Sequence, residues 1–415
     1  MTARWNWQLP PPVTQQDGDS VSYVRFSGYG TESDANVYIV YTATEKTTTK
    51  AWADTGIVIR DISVFNLANP SVQEYVDTVS YDNKDYTVSD VGTYAVKDYY
   101  RKDLPLPVFL AWDGDQIASE YVVSIDTAPS ISKSTSKKYY TDRNRISIYN
   151  LVPGTTYYYV VYALCVNSSA KQVKSGSFTT RDKTRMLNID GIQNVRDIGG
   201  YTGLDGKTVK YGLLFRGSAM DEAVSNHLSI TDKGRQEMLL RVGIRTDLDL
   251  RYGFTKSPLD VMGRDDLTPE VDFINTSSGY DNYATAFTNA TQRKNFAALL
   301  ESIVTQLTNN KPIYFHCQGG CDRTGTLAFQ LLGLLGVSES DLAKEYELSS
   351  FSAIGYTRTR NSEKYTGMVD ALKAYTGDTI TDKLYAFAIN AADATNPGCG
   401  ISADTITRFR ALMLA

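Results

Sequence analysis

Histidine is almost missing from this chain, with two in 415 residues, beside four cysteines, four tryptophans and twelve prolines. So few histidines and cysteines, none at paired zinc-type spacings, call for no metal site, and no cofactor is expected. Four cysteines, two of them within one short stretch, do not form a disulfide framework. No run of about 18 apolar residues is present, so no transmembrane helix is expected. The first ten residues, Met1 to Pro10, lack the apolar core of a signal peptide, which fits a cytosolic protein or a mature or trimmed form. Net charge is −5 with the signs interspersed, giving no basic footprint for nucleic acid or an anionic membrane.

What is present is length and strand-forming residues. At 415 residues and 42% hydrophobic, the chain has material for about two or three domains. Its first 180 residues are rich in Tyr, Thr, Val and Ser. They carry short alternating runs such as Asn36-Val37-Tyr38-Ile39-Val40-Tyr41 and Gly56-Ile57-Val58-Ile59-Arg60, which are strand signals.

The most informative run is Pro312-Ile313-Tyr314-Phe315-His316-Cys317-Gln318-Gly319-Gly320-Cys321-Asp322-Arg323-Thr324-Gly325. An apolar strand ends in His-Cys, crosses a glycine-bearing loop and reaches Arg-Thr-Gly at a helix start. Five residues between Cys317 and Arg323 suit a cup of backbone N–H groups around an oxyanion, with a sulfur nucleophile at its base. A free thiol has a pKa of about 8.5, and inward amides, a helix N-terminus and a guanidinium would all favour its thiolate. The same donors, with Gln318, Gly319, Gly320 and Cys321 lining the loop, would bind a phosphate. Arg323 offers a planar, always charged fork to two phosphate oxygens. Gly319 and Gly320 permit positive φ. Thr324 would hydrogen-bond the sulfur as leaving group, and catalysis would run through a covalent cysteinyl-phosphate. Phe296 to Val304 reads as an amphipathic helix before the strand. Leu327 to Leu335 reads as a buried helix after it, stopped at Gly336.

Three further segments join the loop in a resemblance. Asn194-Val195-Arg196-Asp197-Ile198-Gly199-Gly200-Tyr201, Gly212-Leu213-Leu214-Phe215-Arg216-Gly217-Ser218 and Val242-Gly243-Ile244-Arg245-Thr246-Asp247-Leu248-Asp249-Leu250-Arg251 precede His-Cys-x-x-Gly-x-Asp-Arg-Thr-Gly. In that order they resemble the bacterial tyrosine-phosphatase-like family of protein-tyrosine, dual-specificity and lipid phosphatases, over about residues 186 to 350. The resemblance implies a general acid, for which Asp249 is the first choice by motif and Asp322 the second; an ion pair with a neighbouring arginine is the other reading of Asp249. It implies that His316, Arg196 and Asp197 brace the site, and that Arg216 reaches the phosphate or ties down the loop. Related loops often carry Lys where Cys321 stands, so attraction for multiply phosphorylated substrates should be weaker. Cys321 is also placed for a reversible disulfide with Cys317, or is kept merely for size.

Residues from about 104 to 181 resemble a fibronectin type III module. Val108-Phe109-Leu110-Ala111-Trp112 matches its tryptophan-bearing strand, and Leu151-Val152-Pro153-Gly154-Thr155-Thr156-Tyr157 its tyrosine corner. The expected architecture is therefore multidomain: all-β sandwich regions at the N-terminal side, then an α/β cysteine-phosphatase domain with a central sheet flanked by helices. Its divisions are a β-rich region of unknown type over 1–103, the sandwich over 104–181 and the catalytic domain over 182–415. The tyrosine-rich β modules could engage a protein or glycan, with Thr47-Thr48-Thr49 read as a strand face. Ser349 to Tyr365 would wall the pocket, with Arg358 and Arg360 as candidate substrate contacts. Sandwiches of this kind on bacterial enzymes favour an extracytoplasmic setting, secreted, periplasmic or surface-attached, over a cytoplasmic one. Against a phosphomonoesterase acting on phosphotyrosine protein, an inositol phosphate or a phosphoinositide stand a catalytically silent phosphate-binding protein and a Cys317/Cys321 redox protein.

Overall fold

The computed structural model describes residues 64–95, 102–115, 117–132, 136–165, 169–181, 183–221, 229–260, 269–276, 278–352, 358–392 and 397–415, and before them the strands Val13–Thr14 (β1), Ser20–Arg25 (β2) and Tyr38–Thr42 (β3). The runs at 47–49 and 56–60 lie outside the described residues, as do residues 353–357 of the expected wall. The chain divides into two units. One comprises residues 1–65, 111–146 and 156–179, the other 66–110, 147–155 and 180–415.

In the first unit β1, β2 and β3 form an antiparallel sheet in that order. Val64–Phe65 (β4), Ala118–Asp126 (β6), Lys137–Thr141 (β7), Thr156–Cys165 (β9) and Lys171–Thr180 (β10) form a second sheet, ordered β4-β10-β9-β6-β7. Val108–Ala111 (β5) pairs with Arg145–Ile148 (β8), of which Val108–Leu110, Ser147 and Ile148 count with the second unit. Alternation gives the sheet its inner face: Tyr157, Tyr159, Val161 and Ala163 are buried along β9, as are Tyr121, Val123 and Ile125 along β6. Trp112 packs edge-on against Tyr121 at 5.3 Å.

The second unit is α/β. Arg196–Asp197 (β11), Leu214–Gly217 (β12), Thr246–Asp249 (β13), Asp272–Asn275 (β14) and Ile313–His316 (β15) are ordered β11-β12-β15-β13-β14, all parallel except β11. β15 is central, and its four residues are buried, as expected of a strand covered on both faces. Gly217, His316, Asp249 and Asn275 align across the sheet at its carboxyl edge. Around it lie Pro70–Thr78 (α1), Val91–Tyr94 (α2), Asp232–Gln236 (α3), Tyr283–Thr288 (α4), Ala290–Thr308 (α5), Arg323–Leu334 (α6), Glu339–Glu347 (α7), Glu363–Leu372 (α8), Ile380–Ile389 (α9) and Ala403–Met413 (α10). The helices expected on either side of the loop are α5 and α6; α6 is followed by Gly336 at φ 81°, and Ser338 caps α7.

One segment departs from the sequence expectation. Residues 70–78 lie in the stretch read as β-rich, yet they form α1. Asn69 caps it by accepting from the Ser71 N–H, Pro70 fills the first turn, and Val72 and Tyr75 bury one face. Where composition put a boundary near residue 103, packing places 66–110 in the α/β unit. This strap is fastened by Glu347, a fully buried carboxylate that accepts from the hydroxyls of Tyr75, Tyr81 and Ser89, each at 2.5 Å, and from the Arg360 N–H at 2.6 Å. The Arg360 guanidinium stacks over Tyr81 and Tyr86, 4.4 and 4.7 Å from the ring centres. Arg360 is thus part of this packing.

Removing Glu347 would leave four donors unpaired, three of them buried. Glu347→Ala is expected to cost about 3 kcal/mol or more, read as a lowered urea midpoint of the α/β unit. An unmoved midpoint would show that this carboxylate does not hold the strap.

Candidate active site

From His316 at the end of β15 the chain leaves the carboxyl edge of the sheet, where α/β folds commonly place ligands, and reaches α6 at Arg323. Three carbonyls of the intervening loop are fixed from outside. The Gln318 carbonyl accepts from the Ala219 N–H at 2.9 Å. The Gly319 carbonyl accepts from Asn194 Nδ2 at 3.3 Å and from the Cys321 thiol at 3.4 Å. The Gly320 carbonyl accepts from Arg216 Nη2 at 2.6 Å and Asn194 Nδ2 at 3.2 Å. In a planar trans peptide the N–H points opposite its carbonyl, so the next N–H groups, of Gly319, Gly320 and Cys321, are turned away from those donors. Among the described residues no N–H from Gln318 to Thr324 donates to an oxygen. The result is a concavity of unpaired donors beside a helix N-terminus, the arrangement that binds anions.

Only one of the two loop glycines adopts positive φ. Gly320 has φ 70°, and a Cβ there would lie 2.3 Å from the Gly217 carbonyl carbon and oxygen; Gly319 keeps ordinary backbone geometry.

The Cys317 sulfur is buried in this loop. Burial pushes the thiol up, but the Thr324 hydroxyl and N–H, with the charge of Arg323, outweigh it, and the thiol titrates below its ordinary value. The Arg323 guanidinium enters no hydrogen bond or ion pair among the described residues. It is therefore uncommitted at the site. The second loop thiol behaves differently. Burial pushes Cys321 up to about 11; its sulfur accepts from Asn194 Nδ2 at 3.4 Å, and both loop cysteines are free thiols.

Behind the loop lies a buried ionic network. Glu345 on α7 joins Arg196 Nε at 2.8 Å to Arg216 Nη1 at 2.6 Å. Burial raises the Glu345 carboxyl, but the two arginines outweigh it and hold it below its usual range. Burial, and Arg196 next to it, bring Arg216 down to about 10, so it stays charged at neutral pH. Of the two roles open to Arg216, its contacts are those of tying down the loop. Arg196 also donates to Asn194 Oδ1 at 2.6 Å, which turns the amide's NH2 toward the loop because a guanidinium cannot accept. Asp197 braces at a remove: it pairs with Arg185 at 2.9 Å and accepts from the N–H groups of Gly199 and Gly212.

A second network runs under the strand ends. His316 Nε2 is 2.9 Å from Asp247 Oδ1. Burial lowers the imidazole's pKa, yet Asp247 and then Asp249 raise it to about 9, leaving an imidazolium directly before the nucleophile. Asp249, chosen first as proton donor, makes an ion pair with Arg251. Its two oxygens accept from Arg251 Nε and Nη2 at 2.9 and 2.7 Å, Oδ1 also takes the Arg251 N–H, and the carboxyl is buried. Asp322 sits differently, with its side chain 35% exposed at the loop mouth. Its Oδ1 accepts from Arg358 Nη2 at 2.6 Å and from the Tyr283 hydroxyl, while Oδ2 has no hydrogen bond among the described residues.

Sequence reasoning quoted Asn194 and Asp247 within motifs without roles and missed Glu345 and Asp103. The last accepts the Asn194 N–H at 2.8 Å.

The model of the tyrosine phosphatase family matches residues 187–415. A protein of Cupriavidus necator that carries a tyrosine-protein phosphatase name is 27% identical over 180 residues, 39% of this chain and 61% of that protein. The chain thus spans about three fifths of that relative's length. A solution structure of the fn3 domain of the human collagen alpha-1(XX) chain is 19% identical, covering 19% of this chain and 73% of its own with a TM-score of 0.17, a likeness that carries no argument.

The two loop thiols should separate by pH. Alkylation of Cys317 by iodoacetamide, followed by mass spectrometry, is expected to level off at a pH below that of a free thiol, while Cys321 stays unmodified until pH approaches about 11. Equal profiles for both would contradict the loop electrostatics.

Proposed function

The chain belongs to the tyrosine phosphatase family, and from that premise we propose that it hydrolyses phosphomonoesters through a cysteinyl-phosphate formed on Cys317. The observation that carries this reading is the set of inward N–H groups over the sulfur, with the Arg323 guanidinium uncommitted beside them. An incoming phosphate would take the loop donors and a two-pronged contact from Arg323. The Cys317 thiolate attacks phosphorus, the P–S bond forms as the ester P–O bond breaks, and the leaving oxygen takes a proton. Water then attacks phosphorus, the P–S bond breaks, and the thiolate departs with Thr324 beside it.

The proton comes from Asp322. Its free Oδ2 and position at the mouth support this role, and both oxygens of Asp249 are already engaged by Arg251. In the second step the Asp322 carboxylate takes the proton of the attacking water.

Phosphotyrosine protein or a similar monoester is the leading substrate. One observation favours an inositol phosphate or phosphoinositide: Arg358 lies against Cys321 and Asp322, a cation at the mouth of a loop that itself carries a thiol where relatives often carry Lys. For the β-rich part we retain the fibronectin type III-like reading of residues 104–181, supported by the antiparallel order β10-β9-β6-β7 and its tyrosine alternation, with a protein or glycan as its partner. An extracytoplasmic setting goes with that reading.

Hydrolysis of p-nitrophenyl phosphate should persist in chelator and fall more than about a thousandfold in Cys317→Ser. Arg323→Lys should cost about 100- to 1,000-fold, because an ammonium cannot reproduce the fork. Asp322→Asn should lower kcat about 100-fold and remove the alkaline limb of the pH profile, with Asp249→Asn as the comparison. Activity retained in Cys317→Ser would overturn the covalent reading and leave a different nucleophile, whereas a wild-type chain without activity would leave a silent phosphate binder. A panel of phosphopeptides, phosphoinositides and inositol phosphates decides the substrate class.

A further inference from the structure

We propose that Asp103, 84 residues upstream of the family-matched region, is a positioning residue for the phosphate loop and acts through Asn194. This rests on the loop's being the phosphate site proposed above. Asp103 is 1% exposed, and its Oδ2 accepts the Asn194 N–H at 2.8 Å. Asn194 has φ 59°, in the left-handed region, a conformation that a residue with a side chain holds where its surroundings fix it. The carboxylate on its N–H and Arg196 on Oδ1 are two such restraints, and Ser349 Oγ, 3.3 Å from Nδ2, is a third.

So held, Asn194 aims its NH2 at the Gly319 carbonyl, the Gly320 carbonyl and the Cys321 sulfur, at 3.3, 3.2 and 3.4 Å. These are long hydrogen bonds, and a small rotation of the Asn194 backbone would break them. Two of the three carbonyls that set the direction of the loop N–H groups accept from this one amide, that of Gly319 with the Cys321 thiol and that of Gly320 with Arg216 beside it. Asp103 therefore fixes anion affinity without touching the anion, and the site includes the strap 66–110 as well as the family-matched segment.

The test is a double-mutant cycle on the full chain, with inorganic phosphate titrated by calorimetry into wild type, Asp103→Ala, Asn194→Ala and the double variant. Asp103→Ala should weaken phosphate binding about tenfold, the worth of one buried hydrogen bond. In the Asn194→Ala background the same change should alter affinity less than about twofold, because its route of action is already gone. Asp103→Asn keeps an acceptor oxygen and should recover most of the affinity, which a general packing defect would not allow. Should the alanine variant fail to fold, Asp103→Ser, too short to reach the Asn194 N–H, carries the same cycle. Normal phosphate affinity in Asp103→Ala, or an equal loss in both backgrounds, overturns the positioning role alone. Absence of phosphate binding by the wild-type chain overturns the reading of the loop and this inference with it.

Discussion

The direction of three peptide carbonyls governs this site. Once the carbonyls of Gln318, Gly319 and Gly320 are drawn outward by the Ala219 N–H, Asn194 and Arg216, planarity turns the following N–H groups to the opposite side. The loop needs no side chain for this beyond those that hold it from behind. Gly320 completes the constraint, since a Cβ there would strike the Gly217 backbone on β12. The cradle is thus a consequence of how β12, β15 and the segment after residue 193 meet.

Holding carbonyls with arginine brings charge into the core, and the network behind the loop shows how that is managed. A lone buried guanidinium would be costly, but Arg196 and Arg216 share Glu345, and each also meets backbone or amide oxygens. Two arginines against one carboxylate leave one positive charge in excess on the side facing Cys317. Under the strand ends, Asp247, Asp249, His316 and Arg251 balance one another, so the imidazolium beside the nucleophile is compensated locally. The excess charge that can favour a thiolate comes from Arg323 and the pair Arg196/Arg216.

Legibility in the sequence followed the range of the interactions involved. The strand, loop and helix of residues 312–336 announce themselves by local pattern: an apolar run, glycines, then apolar residues stopped by Gly336. α1 also had a local signal, Asn69-Pro70 before Val72 and Tyr75, which the surrounding Tyr, Thr and Val composition outweighed. The ion pair of Asp249 was within reach, because Arg251 stands only two residues on, just past the end of β13. Glu345 and Asp103 were not, since nothing near them in the chain reveals a partner. Asp103 meets Asn194 across 91 residues, and Glu345 meets Arg196 across 149.

Position 321 shows why a motif departure needs its surroundings before it can be interpreted. The Cys321 side chain is buried between the Gly319 carbonyl and Asn194 and stays a neutral thiol. A lysine there could not occupy that space, since an ammonium against the Asn194 NH2 would set donor against donor. The small side chain lets the Asn194 amide close on the loop from behind, where burial rather than charge is wanted. The mouth instead draws its cation from Arg358, which Asp322 holds by one oxygen. The positive charge therefore lies on a separate segment, where an anion could compete for it without disturbing the cradle.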